Sequence, residues 1–275
     1  MVDCVEGEMI MDYKDYMAVE GEKPLDRMPL DGGFCGIFRS IGAIGDSLSS
    51  GEFETINPDG SKNYLDCFDY SWGQYLARIA GVKVTNFSRG GMTAKEYCTS
   101  FGDKHGYFGK DRACGGYIVA LGVNDVVNQH MTVGSTADIN TENYSDHPDT
   151  FCGWYGELLM RYREISPDAK FFLVTAPRCV KTGVDSDCFA AKMNSAIREL
   201  AAYFDRTYLI DLWEYAPVYD EKFSENFFLE GHLAPTGYML TAKMFASYID
   251  YIIRHNPDDF KKAGLIPAQY APSFL

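Results

Sequence analysis

Five short apolar runs separated by segments of helical period restrict the fold of this chain more than any other feature. Phe34 to Ile44, Val82 to Phe87, Tyr117 to Leu121, Lys170 to Thr175 and Thr207 to Leu212 are each of strand length and each close on Gly, Pro, Asp or Asn. Between and after them, Trp154, Leu158, Tyr162 and Ile165 share one helical face, as do Phe189, Met193, Ile197, Leu200 and Phe204, and Leu240, Met244, Tyr248 and Ile252. The last helix follows Pro235-Thr236-Gly237 and ends near His255-Asn256-Pro257, where proline cannot continue it. Strands apolar throughout and alternating with helices imply a mostly parallel sheet covered on both faces, because a parallel crossover needs a helix. Ligands of such sheets bind outside the carboxyl ends of the strands, so the residues just after each run carry the functional reading.

At 275 residues the chain is long enough to bury one large α/β core without disulfides or metals. Residues 34–275 read as that domain, and residues 1–33, acidic and weakly periodic, as an extension whose role the sequence leaves open. The formal charge of −14 would repel nucleic acid and anionic membranes, so the partner expected is a small molecule or oligosaccharide, with no nucleic acid and no membrane. No apolar run approaches the roughly 18–20 residues that span a bilayer, and the sequence opens without a secretory signal. Cys4, Cys35, Cys67, Cys98, Cys114, Cys152, Cys179 and Cys188 show neither CxxC nor metal-finger spacing and are expected as reduced thiols, which together point to the cytoplasm. Thr132 to Thr150 is one long polar loop, an excursion or lid.

Four strand ends carry candidate chemistry. Gly45-Asp46-Ser47-Leu48 places a hydroxyl at a strand-to-loop junction where amides can face a carbonyl; alone, such a serine is as readily a turn or helix cap. Asn86 to Thr93 contains Gly90-Gly91, where bare amides can approach a ligand or simply turn the chain. Gly122-Val123-Asn124-Asp125 presents a carboxamide donor or caps the next helix. Of the five histidines, His105, His130, His147 and His255 read as loop or helix-end residues, whereas His232, in Glu230-Gly231-His232-Leu233, stands just before a helix in a context suited to a general base.

In that chain order the four blocks resemble those of the SGNH hydrolases, also called GDSL esterases and lipases, over roughly Ile37 to His255. The resemblance implies a three-layer α/β/α sandwich, flavodoxin-like, around a mostly parallel five-stranded sheet. It implies Ser47 as nucleophile, His232 as its base, an oxyanion hole made of the Ser47 and Gly91 amides and the Asn124 side chain, and no cofactor or metal. One position departs from the family pattern: the aspartate expected three residues before the histidine is Leu229. Glu230, Glu225, Asp220, a main-chain carbonyl or no orienting group at all stay open in its place.

The activity implied is hydrolysis of short-chain, foremost acetyl, esters of a soluble substrate, with an O-acetylated carbohydrate as the leading reading. The aromatic stretch Trp213, Tyr215, Tyr219, Phe223, Phe227 and Phe228 leads to His232 and could form a sugar platform, although packing accounts for such residues more often. Competing classes are a catalytically silent protein of the same fold and a lipase or thioesterase for longer acyl chains. Nucleotide or flavin binding is disfavoured by the absence of GxGxxG and GxxxxGK[ST], and zinc chemistry by the absence of HExxH.

Overall fold

The computed structural model describes residues 12–180 and 183–265. Its central sheet is five-stranded and parallel throughout, in the order β4-β1-β5-β6-β7. The strands are β1 (Ser40–Gly45), β4 (Lys83–Ser88), β5 (Gly116–Ala120), β6 (Lys170–Val174) and β7 (Thr207–Ile210), one for each apolar run. The first run is corrected at its start: residues Gly33–Ile37 form a 3-10 turn and the strand begins at Ser40. Gly32 and Gly33, at φ +76° and +53°, bend the chain there, and Phe34 N donates to Asp250 instead of to a neighbouring strand.

Period-two side chains divide the interior into two cores. Tyr117, Val119, Phe171 and Leu173 face helices α3 (Phe151–Ile165) and α4 (Gly183–Tyr203), while Ile118, Phe172 and Val174 face α2 (Trp72–Ala80) and α6 (Pro235–His255). The family fold expected from the sequence, helices on both faces of one sheet, is therefore the fold observed. Of the predicted helical faces, Leu158, Tyr162 and Ile165, then Met193, Ile197, Leu200 and Phe204, and then Met244, Tyr248 and Ile252 are buried, while Trp154, Phe189 and Leu240 at their ends are half-buried. Thr150 caps α3 by accepting from Gly153 N, and Ser71 caps α2 by accepting from Gln74 N, contacts typically worth about 1 kcal/mol each.

Two small antiparallel hairpins stand outside the main sheet. β2 (Glu52–Ile56) and β3 (Lys62–Asp66) follow the short helix α1 (Ser47–Ser50), and β8 (Phe228–Leu229) pairs with β9 (His232–Leu233) just before α6. The turn between β2 and β3 is Asn57-Pro58-Asp59-Gly60, closed by Asn57 N donating to Ser61 O and with Gly60 at φ +84°.

The described part of the N-terminal segment docks on α6: Arg254 donates to both carboxylate oxygens of Glu22 and to Met17 O, and Ser247 Oγ donates to Pro24 O. The polar loop is stitched to α3, with Phe151 N and Cys152 N donating to Thr132 O and Val133 O and the buried ring of His147 3.1 Å from Glu157. Cys35, Cys98, Cys114 and Cys152 are buried thiols, with burial pushing Cys114 up to about 11 and Cys152 to about 12. Cys4 lies outside the described residues. Among the described residues no helix is long and apolar enough to cross a membrane.

Candidate active site

β1, β4 and β5 end side by side, with Gly45 opposite both Ser88 and Ala120, so the three blocks that follow them emerge at one edge of the sheet. After β1, Asp46 caps α1 with Oδ1 accepting from Leu48 N at 3.1 Å, which turns Ser47 out as the first residue of the helix. Gly45 has to be glycine: a Cβ there would sit 2.0 Å from Ser49 Oγ. After β4, Gly91 takes φ +70°, and its Cβ position faces open space. Among the described residues, the amides of Ser47 and Gly91 donate to no protein acceptor.

After β5 the chain enters a π-helical turn, Val123–Asn128, that carries Asn124. Its Nδ2 donates to Met92 O at 3.1 Å and lies 3.5 Å from Asp46 Oδ2, while its Oδ1 accepts from Asn128 Nδ2. Two buried carboxyls lie beneath. Burial raises Asp46 to about 6 against the bond from Leu48 N, and raises Asp125 to about 7 against bonds from the amides of Ala94 and Lys95.

His232 comes from the far end of the chain and reaches the same edge through β9, which packs on α1 and β2. Its ring lies between two carboxylates of β2: Nδ1 is hydrogen bonded to Glu54 Oε2 at 3.0 Å, and Nε2 is 3.1 Å from Glu52 Oε1. The structure thus brings Ser47, Gly91, Asn124 and His232 to one rim, and Asp46 and Leu233 line one cavity.

None of the acids weighed from the sequence contacts the imidazole. Asp220 caps a helix (α5, Glu221–Phe227), Glu225 lies on it, and Glu230 occupies the turn between β8 and β9 at φ +51°. Leu229 stands directly opposite His232 in the β8–β9 ladder, half-exposed, so an acid in its place would lie on the neighbouring strand of that two-residue ladder. Glu54 was hidden because its partner lies 178 residues away, yet the segment carried a signal: Glu52-Phe53-Glu54-Thr55-Ile56 alternates and runs into an Asn-Pro-Asp-Gly turn. Its burial is nearly complete, at 2% exposure. Lys62 Nζ, across the hairpin at 2.5 Å, holds its carboxyl below the usual range; burial opposes this and the bond to His232 adds to it.

The aromatic stretch before His232 is mostly packing: Tyr219 and Phe223 are buried and stacked at 4.0 Å, with Phe227 and Phe228 against them. The aromatic side chain beside the imidazole is instead Tyr64 of β3, edge-on at 5.9 Å and 51% exposed.

Residues 43–240 match the GDSL-like lipase/acylhydrolase family, and the chain belongs to it. No curated protein matches the chain significantly. Solved structures of the same fold include a carbohydrate acetylesterase from Sinorhizobium meliloti, 15% identical with TM-score 0.52, covering 78% of this chain and 99% of that one. A family two carbohydrate esterase from Clostridium thermocellum, in complex with cellohexaose, is 15% identical with TM-score 0.52 over 80% of this chain and 65% of its own. A carbohydrate esterase family 2 enzyme of Corynascus thermopiles is 14% identical with TM-score 0.52 over 79% of this chain and 67% of its own.

Proposed function

We propose that this hydrolase is a serine esterase for short acyl, foremost acetyl, esters of a soluble carbohydrate. The observation that carries the reading is the meeting of Ser47, Gly91, Asn124 and His232, from four separate segments, at one sheet edge. His232 Nε2 takes the Ser47 proton as Oγ attacks the ester carbonyl, then returns it to the leaving alcohol; water repeats the two steps to free the acid. The carbonyl oxygen becomes an oxyanion in each half, and donors fixed in advance stabilise it more than the ground state. The unengaged amides of Ser47 and Gly91 suit that role. Of the two Asn124 Nδ2 hydrogens, one serves Met92 O, and the other faces Asp46 Oδ2 at 3.5 Å, a contact weak enough to be given up to a substrate oxygen.

Three features support the substrate class. A largely apolar cavity of about 100 Å³ lies against the nucleophile turn, lined by Asp46, Leu48, Ala120, Val174, Leu212 and Leu233 among others, a size that suits a small acyl group. Tyr64 offers a ring face at the rim on which a pyranose can stack. The carbohydrate esterases of the same fold act on the same class. A panel of p-nitrophenyl esters of increasing chain length, with acetate release from acetylated oligosaccharides, tests the reading. Preference for acetyl and loss of turnover in Ser47→Ala are expected; preference for long chains would remove the carbohydrate assignment, and near wild-type turnover in Ser47→Ala the nucleophile.

A further inference from the structure

We infer that Glu54, on the hairpin β2–β3, is the positioning carboxylate of His232, standing in for the aspartate that the family usually carries three residues before the histidine. The inference rests on the Ser47–His232 reading. Glu54 Oε2 faces Nδ1 at 3.0 Å and also accepts Gly231 N at 3.1 Å, so one oxygen fixes both the ring and the backbone just ahead of it. A Cβ on residue 231 would come within 2.3 Å of that oxygen, which explains the glycine in Glu230-Gly231-His232. The other oxygen, Oε1, pairs with Lys62 Nζ at 2.5 Å, and Lys62 stands opposite Ile56 in the β2–β3 ladder. The hairpin thus brings the carboxylate and its countercharge as a unit.

A carboxylate at Nδ1 selects the tautomer with the proton on that nitrogen, and once Glu52 Oε1, 3.1 Å from Nε2, moves aside, the lone pair on Nε2 is left to receive the Ser47 proton. When Oγ bonds to the carbonyl carbon, the C=O electron pair moves to oxygen and the proton moves to Nε2. The imidazolium formed lies against an anion already in place. On collapse the ester C–O bond breaks and the proton leaves Nε2 for the alkoxide. Glu54 stays ionised throughout and touches no reacting atom.

The test is the full-length enzyme with Glu54→Gln, Glu54→Ala and Glu54→Asp, assayed with p-nitrophenyl acetate for kcat and KM separately, with melting temperature alongside. Glu54→Gln preserves shape and can turn its amide to Nδ1, selecting the wrong tautomer. Its kcat should fall roughly 10³–10⁴-fold with KM within about threefold of wild type, the scale set by removing the charge from a triad acid. Glu54→Asp should recover part of the loss. A folded Glu54→Gln with kcat within about threefold of wild type overturns the inference. Should the variants unfold, the wild-type proton spectrum decides: a downfield Nδ1–H resonance that His232→Gln abolishes supports the bond to Glu54, and its absence overturns it. Fluorophosphonate labelling of Ser47 in the wild type separates the two claims, since failure to label overturns the Ser47–His232 reading itself, whereas labelling with an unaffected Glu54→Gln overturns only the role of Glu54.

Discussion

Asn124 faces Asp46 across the carboxyl edge of the sheet, its Nδ2 3.5 Å from Oδ2, although the two are 78 residues apart in the chain. Each is held separately: Asp46 caps the helix that begins with Ser47, while the carboxamide donates to Met92 O at 3.1 Å and accepts from Asn128, which leaves its second hydrogen for a substrate oxygen. Asn124→Ala removes the donor and leaves the turn capped. Turnover of p-nitrophenyl acetate should fall roughly 10²–10³-fold with a native circular dichroism spectrum. A folded variant with unchanged kcat would remove Asn124 from the oxyanion hole.

Asp125, fully buried next to that donor, makes stability depend on pH. Oδ1 accepts Ala94 N at 2.9 Å, while Oδ2 has no hydrogen-bond partner among the described residues, and burial pushes the group up to about 7 from an ordinary 3.8. A raised carboxyl binds more protons folded than unfolded between those values, so stability falls as pH rises from about 4 to about 7. The loss is on the order of a few kcal/mol. Urea unfolding of the wild type from pH 4.5 to 7.5 should show this decline, and Asp125→Asn should lessen it, leaving the part due to Asp46, which burial raises to about 6.

Glu52 stands where the mechanism needs room. Its Oε1 is 3.1 Å from His232 Nε2, and its Oε2 lies so close to Gly90 that a Cβ there would be 2.1 Å away, so the carboxylate spans the gap between the base and the glycine block. Burial raises Glu52, the His232 charge opposes that, and Asp66 and Glu54 add to it. With Glu54 on the opposite nitrogen and Asp46 near, the imidazolium is surrounded by carboxylates. Glu52→Gln takes one anion away. It clears Nε2 for the Ser47 proton, so turnover of p-nitrophenyl acetate should rise. A folded variant with unchanged turnover would show that Glu52 leaves Nε2 before catalysis.

What the sequence revealed and what it hid divide along a physical line. The parallel sheet was legible because strands buried on both faces read as unbroken apolar runs, and the three blocks after β1, β4 and β5 were legible because neighbouring strands deliver their ends to one place. The partner of His232 was not. Glu54 belongs to a short exposed hairpin whose position depends on packing against β9, and local pattern contains no information about a contact 178 residues away. The apolarity of Phe34 favours a strand, yet Asp250 on α6 holds its amide, again a tertiary partner prevailing over local preference.

The N-terminal segment is tied to α6 through Arg254. Arg254 is 4% exposed at its side chain and donates to Glu22 at 2.7 and 2.8 Å, to Asp250 at 2.8 Å and to Met17 O at 2.9 Å. The planar guanidinium serves all of these at once, which a lysine cannot do. Arg254→Ala would leave Asp250 buried without its cation and Glu22 with only the exposed Arg27, 3.9 Å away, at a cost of about 3–5 kcal/mol and a fall in melting temperature of roughly 10 °C. Glu22 is held below its ordinary 4.5, first by the bond from Arg254, so its share of this stability is present above that value and lost as pH falls below it. The variant should therefore lose less stability than wild type on acidification. Arg254 lies at the far end of the 21-residue α6 from His232, roughly 30 Å along the helix. Turnover at 25 °C should stay close to wild type while limited proteolysis cuts the N-terminal segment faster; a kcat loss as large as that of Asn124→Ala would show that the segment supports the catalytic edge as well.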